Sequence, residues 1–324
     1  MATGHLNIVV LDDWENSLRD HIDWSRITER ASVQIHNKAL RGEALDRALQ
    51  DAHILVLLRE RTPIGAELIT RLPSLRAIIC TGVRNRTLDV QAAETAGIRI
   101  TYTRGGPAKA GTCELTWTLL LAASRKLTEL TLTKQRSIWR DHTVAAYLPP
   151  VLENKRLGVI GLGEIGQRVA HVGKAFGMDV VTWSPNMTTE RASIFGVTAV
   201  SLDTLLSTSD FISLHLVPSL STQHLINAER LSLMKPDSIL INTSRAELID
   251  MQALTEALIK GTIGGCGLDV FDQEPLPGDH PLLDVPSAVL TPHYGFVCKE
   301  VMQQFASDVE NYLLGYFAKM PESQ

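Results

Sequence analysis

Cysteine is scarce. The 324 residues hold four, Cys80, Cys113, Cys266 and Cys298, spaced so widely that no CxxC pair forms. That excludes a disulfide framework and a cysteine-rich zinc site, and reduced thiols in a core, as in a cytoplasmic protein, are expected. A dominant charge is missing as well. The formal net charge of −5 leaves no basic footprint for nucleic acid. Nowhere do about 18 apolar residues run together, so a membrane-spanning helix is excluded. Near Met1 a basic segment ahead of a long apolar stretch is lacking, and Ile8–Leu11 reads as a strand rather than a signal peptide. His5, His21, His36, His53, His142, His171, His224 and His280 form no ligand spacing such as HxxxH, and no metal is expected. Low-complexity segments, charge runs and short repeats are also absent. What remains is an ordinary globular composition, 44% hydrophobic and 21% charged, with length enough for two domains.

Short β-rich runs alternate with helical patterns almost throughout. In the first hundred residues the strand candidates are Leu6–Leu11, Val33–His36, His53–Leu58, Arg76–Thr81 and Ile98–Thr101, with helical patterns at Gly42–Gln50, Ile64–Arg71 and Leu88–Ala96. Fully apolar strands alternating with helices signal a parallel sheet covered on both faces. A second series runs through Arg156–Ile160, Asp179–Trp183, Val197–Val200, Phe211–Val217, Ser238–Asn242, Gly264–Val270 and Ala288–Leu290. Between the two lies an apolar helix, about Gly111–Lys126, flanked by polar Arg104–Ala108 and Arg140–Asn154. The last amphipathic stretch, Glu300–Phe317, is expected to pack back on the N-terminal unit. The fold expected is α/β, with two doubly wound parallel-sheet domains and a cleft between them. One is discontinuous, 1–103 with 297–324, and the other spans 104–296.

Leu157–Ile160 leads into Gly161, Leu162, Gly163, Glu164, Ile165 and Gly166, and Gln167–Gly177 then reads as a helix. A lone GxGxxG is weak. Placed between a strand and a helix, with another strand at the right distance, it is a dinucleotide fingerprint. Gly161 permits the tight turn, Gly163 lets backbone approach a pyrophosphate, and Gly166 allows helix and strand to pack closely. The helix N-terminus, with Glu164 and Ile165, offers amides and a positive dipole end to the phosphates. The second strand of such a domain normally ends in an acid that binds the ribose 2′-OH, but Ser184 stands there, and no basic residue follows until Arg191. The cofactor is therefore NAD or NADP, with NADPH slightly favoured.

Three later strands end in polar segments, at the edge where open α/β sheets bind ligands. They are Ile241-Asn242-Thr243-Ser244-Arg245, Leu268-Asp269-Val270-Phe271-Asp272-Gln273-Glu274-Pro275, and Leu290-Thr291-Pro292-His293-Tyr294-Gly295. These motifs resemble those of the D-isomer-specific 2-hydroxyacid dehydrogenases: an Arg in an NTxRG-like segment, a Glu in LDVFxxEP and a His in TPHxG. The resemblance runs from about Leu6 to the C-terminal helix and is densest from Leu157 to Gly295. It implies a Rossmann cofactor domain beside a flavodoxin-like substrate domain, and a nicotinamide-dependent enzyme that interconverts a small 2-oxo acid and its D-2-hydroxy acid. Arg245, Glu274 and His293 take the catalytic roles by this resemblance.

The chemistry of those residue types agrees. Reducing a ketone needs a proton donor for the developing alkoxide, and histidine titrates near neutrality. A carboxylate beside it favours the imidazolium and fixes the ring. A planar guanidinium suits the carboxylate and carbonyl of a 2-oxo acid.

By the same resemblance Asp269 holds the nicotinamide carboxamide, Thr243 and Thr112 lie near that ring, and Pro218 lies beside the adenosine. Gly82, Val83 and Arg84 match a substrate-carboxylate loop, a natural anion nest, and Arg59 matches a segment near the substrate mouth, where an ion pair with Glu60 or Glu67 is an equal alternative. His215, in an apolar strand, is expected to satisfy a core hydrogen bond. The chain departs from the family pattern in two places. Ala246 replaces a glycine after Arg245, and the common GxGxDN loop reads Gly82-Val83-Arg84-Asn85-Arg86-Thr87. A homodimer is implied, with the apolar junction helix and the Trp117 and Trp139 region as candidate contacts, as is hinge closure around the cofactor. Two further readings stay open: a phosphoglycerate-type biosynthetic dehydrogenase, disfavoured because the chain stops at Gln324 without a regulatory domain, and a non-catalytic nucleotide-sensing module.

Overall fold

A computed structural model describes residues 5–135 and 148–319. The chain divides into two compact units, Met1–Pro107 with Cys298–Gln324, and Ala108–Val297.

The first unit opens with β1 (Leu6–Leu11), α1 (Ser17–His21), α2 (Ser25–Thr28) and β2 (Ala31–Ile35). It continues through α3 (Gly42–Leu49), β3 (Ile54–Leu57), α4 (Ala66–Thr70), β4 (Ala77–Cys80), α5 (Val90–Thr95) and β5 (Arg99–Tyr102). All five strands are parallel, in the order β2-β1-β3-β4-β5. That is the flavodoxin-like order, whose switch point falls between β1 and β3. The strands read as apolar runs because both faces are covered; β3 and β4 are buried along their whole length. The two short helices α1 and α2 were not expected from the pattern. Asp13, fully buried, holds α1 by accepting the Leu18 and Arg19 amides at 3.1 and 2.9 Å.

The second unit begins with α6 (Ala108–Ser124) and α7 (Leu127–Gln135). It then alternates β6 (Arg156–Ile160), α8 (Glu164–Ala175), β7 (Asp179–Trp183), α9 (Thr189–Ser193), β8 (Thr198–Ala199), α10 (Leu202–Thr208), β9 (Phe211–Leu214), α11 (Ala228–Leu233), β10 (Ile239–Asn242), α12 (Met251–Ile259), β11 (Gly265–Leu268) and β12 (Ala288–Leu290). Seven parallel strands lie in the order β12-β11-β10-β9-β6-β7-β8. The switch point is between β6 and β9, and the strand order is that of a dinucleotide-binding fold extended at one edge. One face packs Leu205, Leu231, Leu254 and their neighbours from α10, α11 and α12; the other packs Trp117, Leu120 and Val169 from α6 and α8. The apolar helix α6 thus belongs to this core, and Gly267 of β11 lacks a Cβ that would fall 2.8 Å from that of Leu119.

Trp117 corrects one expectation. It is buried, 6% exposed, with its ring 5.1 Å from that of Phe176, so it is packed inside the unit and not offered to a partner. Trp139, the other residue of that expectation, lies outside the described residues.

After β12 the chain returns to the first unit as α13 (Lys299–Ala318). It packs against α1 and α2, and its Asp308 binds Arg104 through the backbone N–H at 2.8 Å and the guanidinium at 2.6 Å. All four cysteines are free thiols, three of them buried.

Candidate active site

Parallel strands deliver their carboxyl ends to one edge of the sheet, and in the second unit five neighbouring strands, β6, β9, β10, β11 and β12, each end there in a segment singled out by sequence. After β6 comes the glycine turn. Gly161 has φ +97, and a Cβ on it would lie 2.8 Å from the His215 carbonyl. On Gly166 a Cβ would lie 2.0 Å from the Gly161 oxygen. The protein itself therefore demands both glycines. Gly163 differs: its backbone is extended, and a Cβ there meets nothing within 4 Å. Space is kept at the N-cap of α8, where no side chain caps the helix and its first amides have no helical partner. This uncapped cradle fits a pyrophosphate. Glu164, next in line, pairs with Lys109 of α6.

The strand β7 ends in half-buried Ser184, and Arg191 folds back so that its guanidinium donates to the Asn186 carbonyl in the same loop. Beyond β9, His215 hydrogen-bonds at Nε2 with Ser213 Oγ at 2.8 Å, but it stands just past the strand and is half-buried rather than inside the core; desolvation lowers its pKa to about 3. Half-buried Pro218 follows, beside exposed Val217.

Beyond β10 stand Thr243, 7% exposed, and half-buried Arg245. Arg245 donates to the Ser244 carbonyl at 2.7 Å, and its own carbonyl accepts from Asn242 at 2.8 Å, so the loop carrying the guanidinium is pinned to its strand. Ala246, where the family has glycine, is buried at the start of a short 3-10 turn.

Beyond β11 and β12 the segments meet. His293 Nδ1 lies 2.7 Å from Glu274 Oε2, with each side chain about 30% exposed (30% and 31%). Glu274 Oε1 accepts the Phe271 amide at 3.0 Å, and Phe296 packs edge-on against the imidazole at 5.7 Å. These contacts leave Nε2 as the ring atom turned to other chemistry. His293 has φ +56, the left-handed region that a non-glycine residue occupies only when its surroundings hold it. Asp269 does the holding. Its Oδ1 accepts from Thr291 Oγ1 and the Tyr294 amide, both at 2.6 Å, and its Oδ2 accepts the Gly295 amide at 2.8 Å. Burial pushes the Asp269 carboxyl up, while these donors and the nearby His293 pull it down. Thr112 of α6 completes the cluster by donating to the Ala108 carbonyl at 2.8 Å, with the Gly295 carbonyl at 3.2 Å.

In the first unit the loop after β4 carries Gly82, Val83 and Arg84. Gly82 has φ +90, and a Cβ there would fall 1.7 Å from the Arg59 guanidinium, which lies across it and reaches the Thr81 carbonyl at 3.3 Å. Thr103 accepts the Gly82 amide at 2.7 Å, and buried Asn85 accepts from the Thr87 and Leu88 amides. Asn85 thus serves the loop itself. Val83 and Arg84 are exposed. Sequence reasoning gave no role to Thr116, Thr291 or Thr103, whose hydroxyls bind Thr243, Asp269 and the Gly82 amide; the signal for Thr116 was its position one helical turn past Thr112.

Among the described residues no cluster of His, Cys, Asp and Glu is placed to hold a metal, and no helix is long and apolar enough to cross a membrane. A doubly wound domain with an uncapped glycine turn and a carboxylate-bound histidine on the same edge defines a nicotinamide-dependent dehydrogenase. Residues 117–295 match the family model described as the NAD binding domain of D-isomer specific 2-hydroxyacid dehydrogenases. A glyoxylate reductase of Aeropyrum pernix is 36% identical over 276 residues, 84% of this chain and 82% of that protein. A hydroxypyruvate reductase of Thermotoga maritima is 33% identical, covering 86% of this chain and 89% of that protein. Among solved structures, a phosphoglycerate oxidoreductase of Vibrio cholerae superposes with a TM-score of 0.87 at 32% identity, covering 97% of this chain and 99% of that one. The chain belongs to the D-isomer specific 2-hydroxyacid dehydrogenase family. It is an oxidoreductase of 2-hydroxy acids and their 2-oxo counterparts that uses a nicotinamide dinucleotide.

Proposed function

We propose that this enzyme reduces a small 2-oxo acid of the glyoxylate or hydroxypyruvate kind, with His293 as proton donor, Glu274 as its partner and Arg245 as the group that binds the substrate carbonyl. The 2.7 Å contact between His293 and Glu274, on the sheet edge that also bears the open glycine turn, carries this reading. The dinucleotide is assigned to the Ala108–Val297 unit, on Gly161, Gly163, Glu164, Ile165, Gly166, Ser184, Pro218, Thr243, Asp269 and Thr112. The substrate carboxylate is assigned to the loop of Gly82, Val83 and Arg84, through the Val83 and Arg84 amides since Thr103 takes that of Gly82, with Arg59 beside it.

A bound nicotinamide supplies the hydride. As negative charge grows on the carbonyl oxygen, Arg245 stabilises it and His293 delivers a proton from Nε2, yielding the hydroxyl group. Glu274 accepts from the Nδ1–H throughout, which keeps the ring aimed. In the reverse direction His293 takes the hydroxyl proton back.

Ser184 in place of an acid, together with Arg191 folded onto the same loop, supports NADPH as the preferred cofactor. Family membership supports a homodimer, measurable by light scattering, and free thiols suit a cytoplasmic setting.

The test follows oxidation of NADH and NADPH separately with glyoxylate, hydroxypyruvate, phenylpyruvate and 3-phosphohydroxypyruvate. Turnover is expected with one of the first two, fastest with NADPH. His293→Ala is expected to abolish it while cofactor affinity stays within a few-fold. Turnover with the phosphorylated acid alone would make the enzyme a biosynthetic dehydrogenase, and no turnover with any of the four would overturn this substrate assignment and favour the nucleotide-sensing reading.

A further inference from the structure

We infer that Thr116 fixes the direction of a buried hydrogen-bond chain that leaves Thr243 able only to accept, so that the site selects pyridine rings bearing an N–H donor and rejects rings bearing an acceptor there. The inference rests on the placing of the nicotinamide near Thr243 proposed above, and it concerns a residue that touches no ligand.

Thr112 and Thr116 stand one turn apart on α6 and so share a face. Thr116 Oγ1 lies 2.8 Å from the Thr112 carbonyl and 2.7 Å from Thr243 Oγ1. Thr116 is fully buried and Thr243 is 7% exposed. A carbonyl only accepts, and each hydroxyl has one proton. If Thr116 spends its proton on the Thr112 carbonyl, Thr243 must donate to Thr116, and both protons are used. In the opposite order Thr116 donates to Thr243, and the Thr243 proton finds no acceptor among the described residues. A buried donor left unmade is the costlier state, so the chain runs from Thr243 to Thr116 to the Thr112 carbonyl.

The surrounding oxygens have the same polarity. Strands β10 and β11 are neighbours, and the Asp269 amide donates to the Asn242 carbonyl at 3.0 Å, which sets Thr243 beside Asp269. The Thr291 hydroxyl spends its proton on Asp269, and the Thr112 hydroxyl spends its own on the Ala108 and Gly295 carbonyls. Gly295 lies between the two: a Cβ there would sit 3.1 Å from Asp269 Oδ2 and 3.4 Å from Thr112 Oγ1. The patch therefore presents acceptors and no hydroxyl proton. A carboxamide NH2 satisfies it; an acetyl group does not.

The experiment measures equilibrium binding without turnover, by quenching of tryptophan fluorescence, for the reduced dinucleotide and for its 3-acetylpyridine counterpart. The wild type is expected to bind the carboxamide form more tightly. Thr116→Val removes the internal acceptor with little change of shape, turns the Thr243 proton toward the ligand, and is expected to lower that preference roughly fivefold, the worth of one hydrogen bond. Thr116→Ser keeps the hydroxyl and should keep the wild-type ratio. Should valine unfold the chain, Thr116→Ala repeats the comparison. An unchanged ratio in the valine or alanine variant, or a wild type indifferent between the two rings, overturns the inference while leaving the dehydrogenase intact. A wild type that binds neither dinucleotide overturns the cofactor placement and this inference with it.

Discussion

His293 is a residue held in an uncommon backbone conformation by a neighbour with a carboxylate to spare. Asp269 clamps both the residue two before it and the two after it, while Glu274 addresses the ring. The two acids thus divide the work between backbone and side chain, and their removal should have different signatures. Glu274→Gln leaves the loop in place and keeps a hydrogen-bond partner but loses the charge. Turnover is expected to fall on the order of a hundredfold, with dinucleotide affinity unchanged in a fluorescence titration. Asp269→Asn replaces one acceptor oxygen by a donor facing amides, so it should loosen the Thr291–Gly295 loop and weaken both turnover and binding. If both variants lost only turnover, Asp269 would not be the clamp. That His293 and Glu274 belong together was legible from the residue types and their motifs. Thr116 was not, because a threonine inside an apolar helix looks the same whether it fills space or directs a proton, and only the position of Thr243 Oγ1 tells the two apart.

At the scale of the element, the glycine turn separates packing from binding. Gly163→Ala meets open space, so thermal stability should stay within a degree or two of the wild type while the dinucleotide dissociation constant rises by at least tenfold. Gly166→Ala drives a methyl into the Gly161 carbonyl and is expected to cost about 1–3 kcal/mol of stability, read by urea unfolding. Equal effects of the two substitutions would remove the distinction. Strand limits followed the pattern well where turn residues bound the apolar run, as at β1, β6, β7 and β12, whose observed ends match those read from the sequence. They failed at β9. Leu216 and Val217 prolong the apolar run, yet the strand stops at Leu214, since β6 beside it ends at Ile160 and the ladder has no further partner. The helices α1 and α2 escaped notice because they are five and four residues long, too short to show a period; the Asp13 carboxylate holds the start of α1, and Asp23 accepts the Ser25 amide at the start of α2.

For the molecule as a whole, His215 ties stability to pH. Its folded pKa of about 3 lies below the ordinary 6.5, so between these values the unfolded chain binds a proton that the folded chain refuses. Stability from this source is complete above 6.5 and is lost as pH falls toward 3, by about 1 kcal/mol per pH unit. Urea midpoints at pH 7 and pH 5.5 should therefore separate for the wild type and draw together for His215→Asn. Parallel behaviour of the two proteins would show that the imidazole titrates normally.

The polypeptide leaves the first unit at Pro107 and comes home at Cys298. A ribosome therefore finishes the intervening unit while the first still waits for α13, the helix that covers α1 and receives Arg104. Birth order and completion order are reversed. The nascent amino-terminal sheet must stay soluble with one flank bare through nearly two hundred residues of further synthesis, and Asp308 closes it only as the final helix emerges.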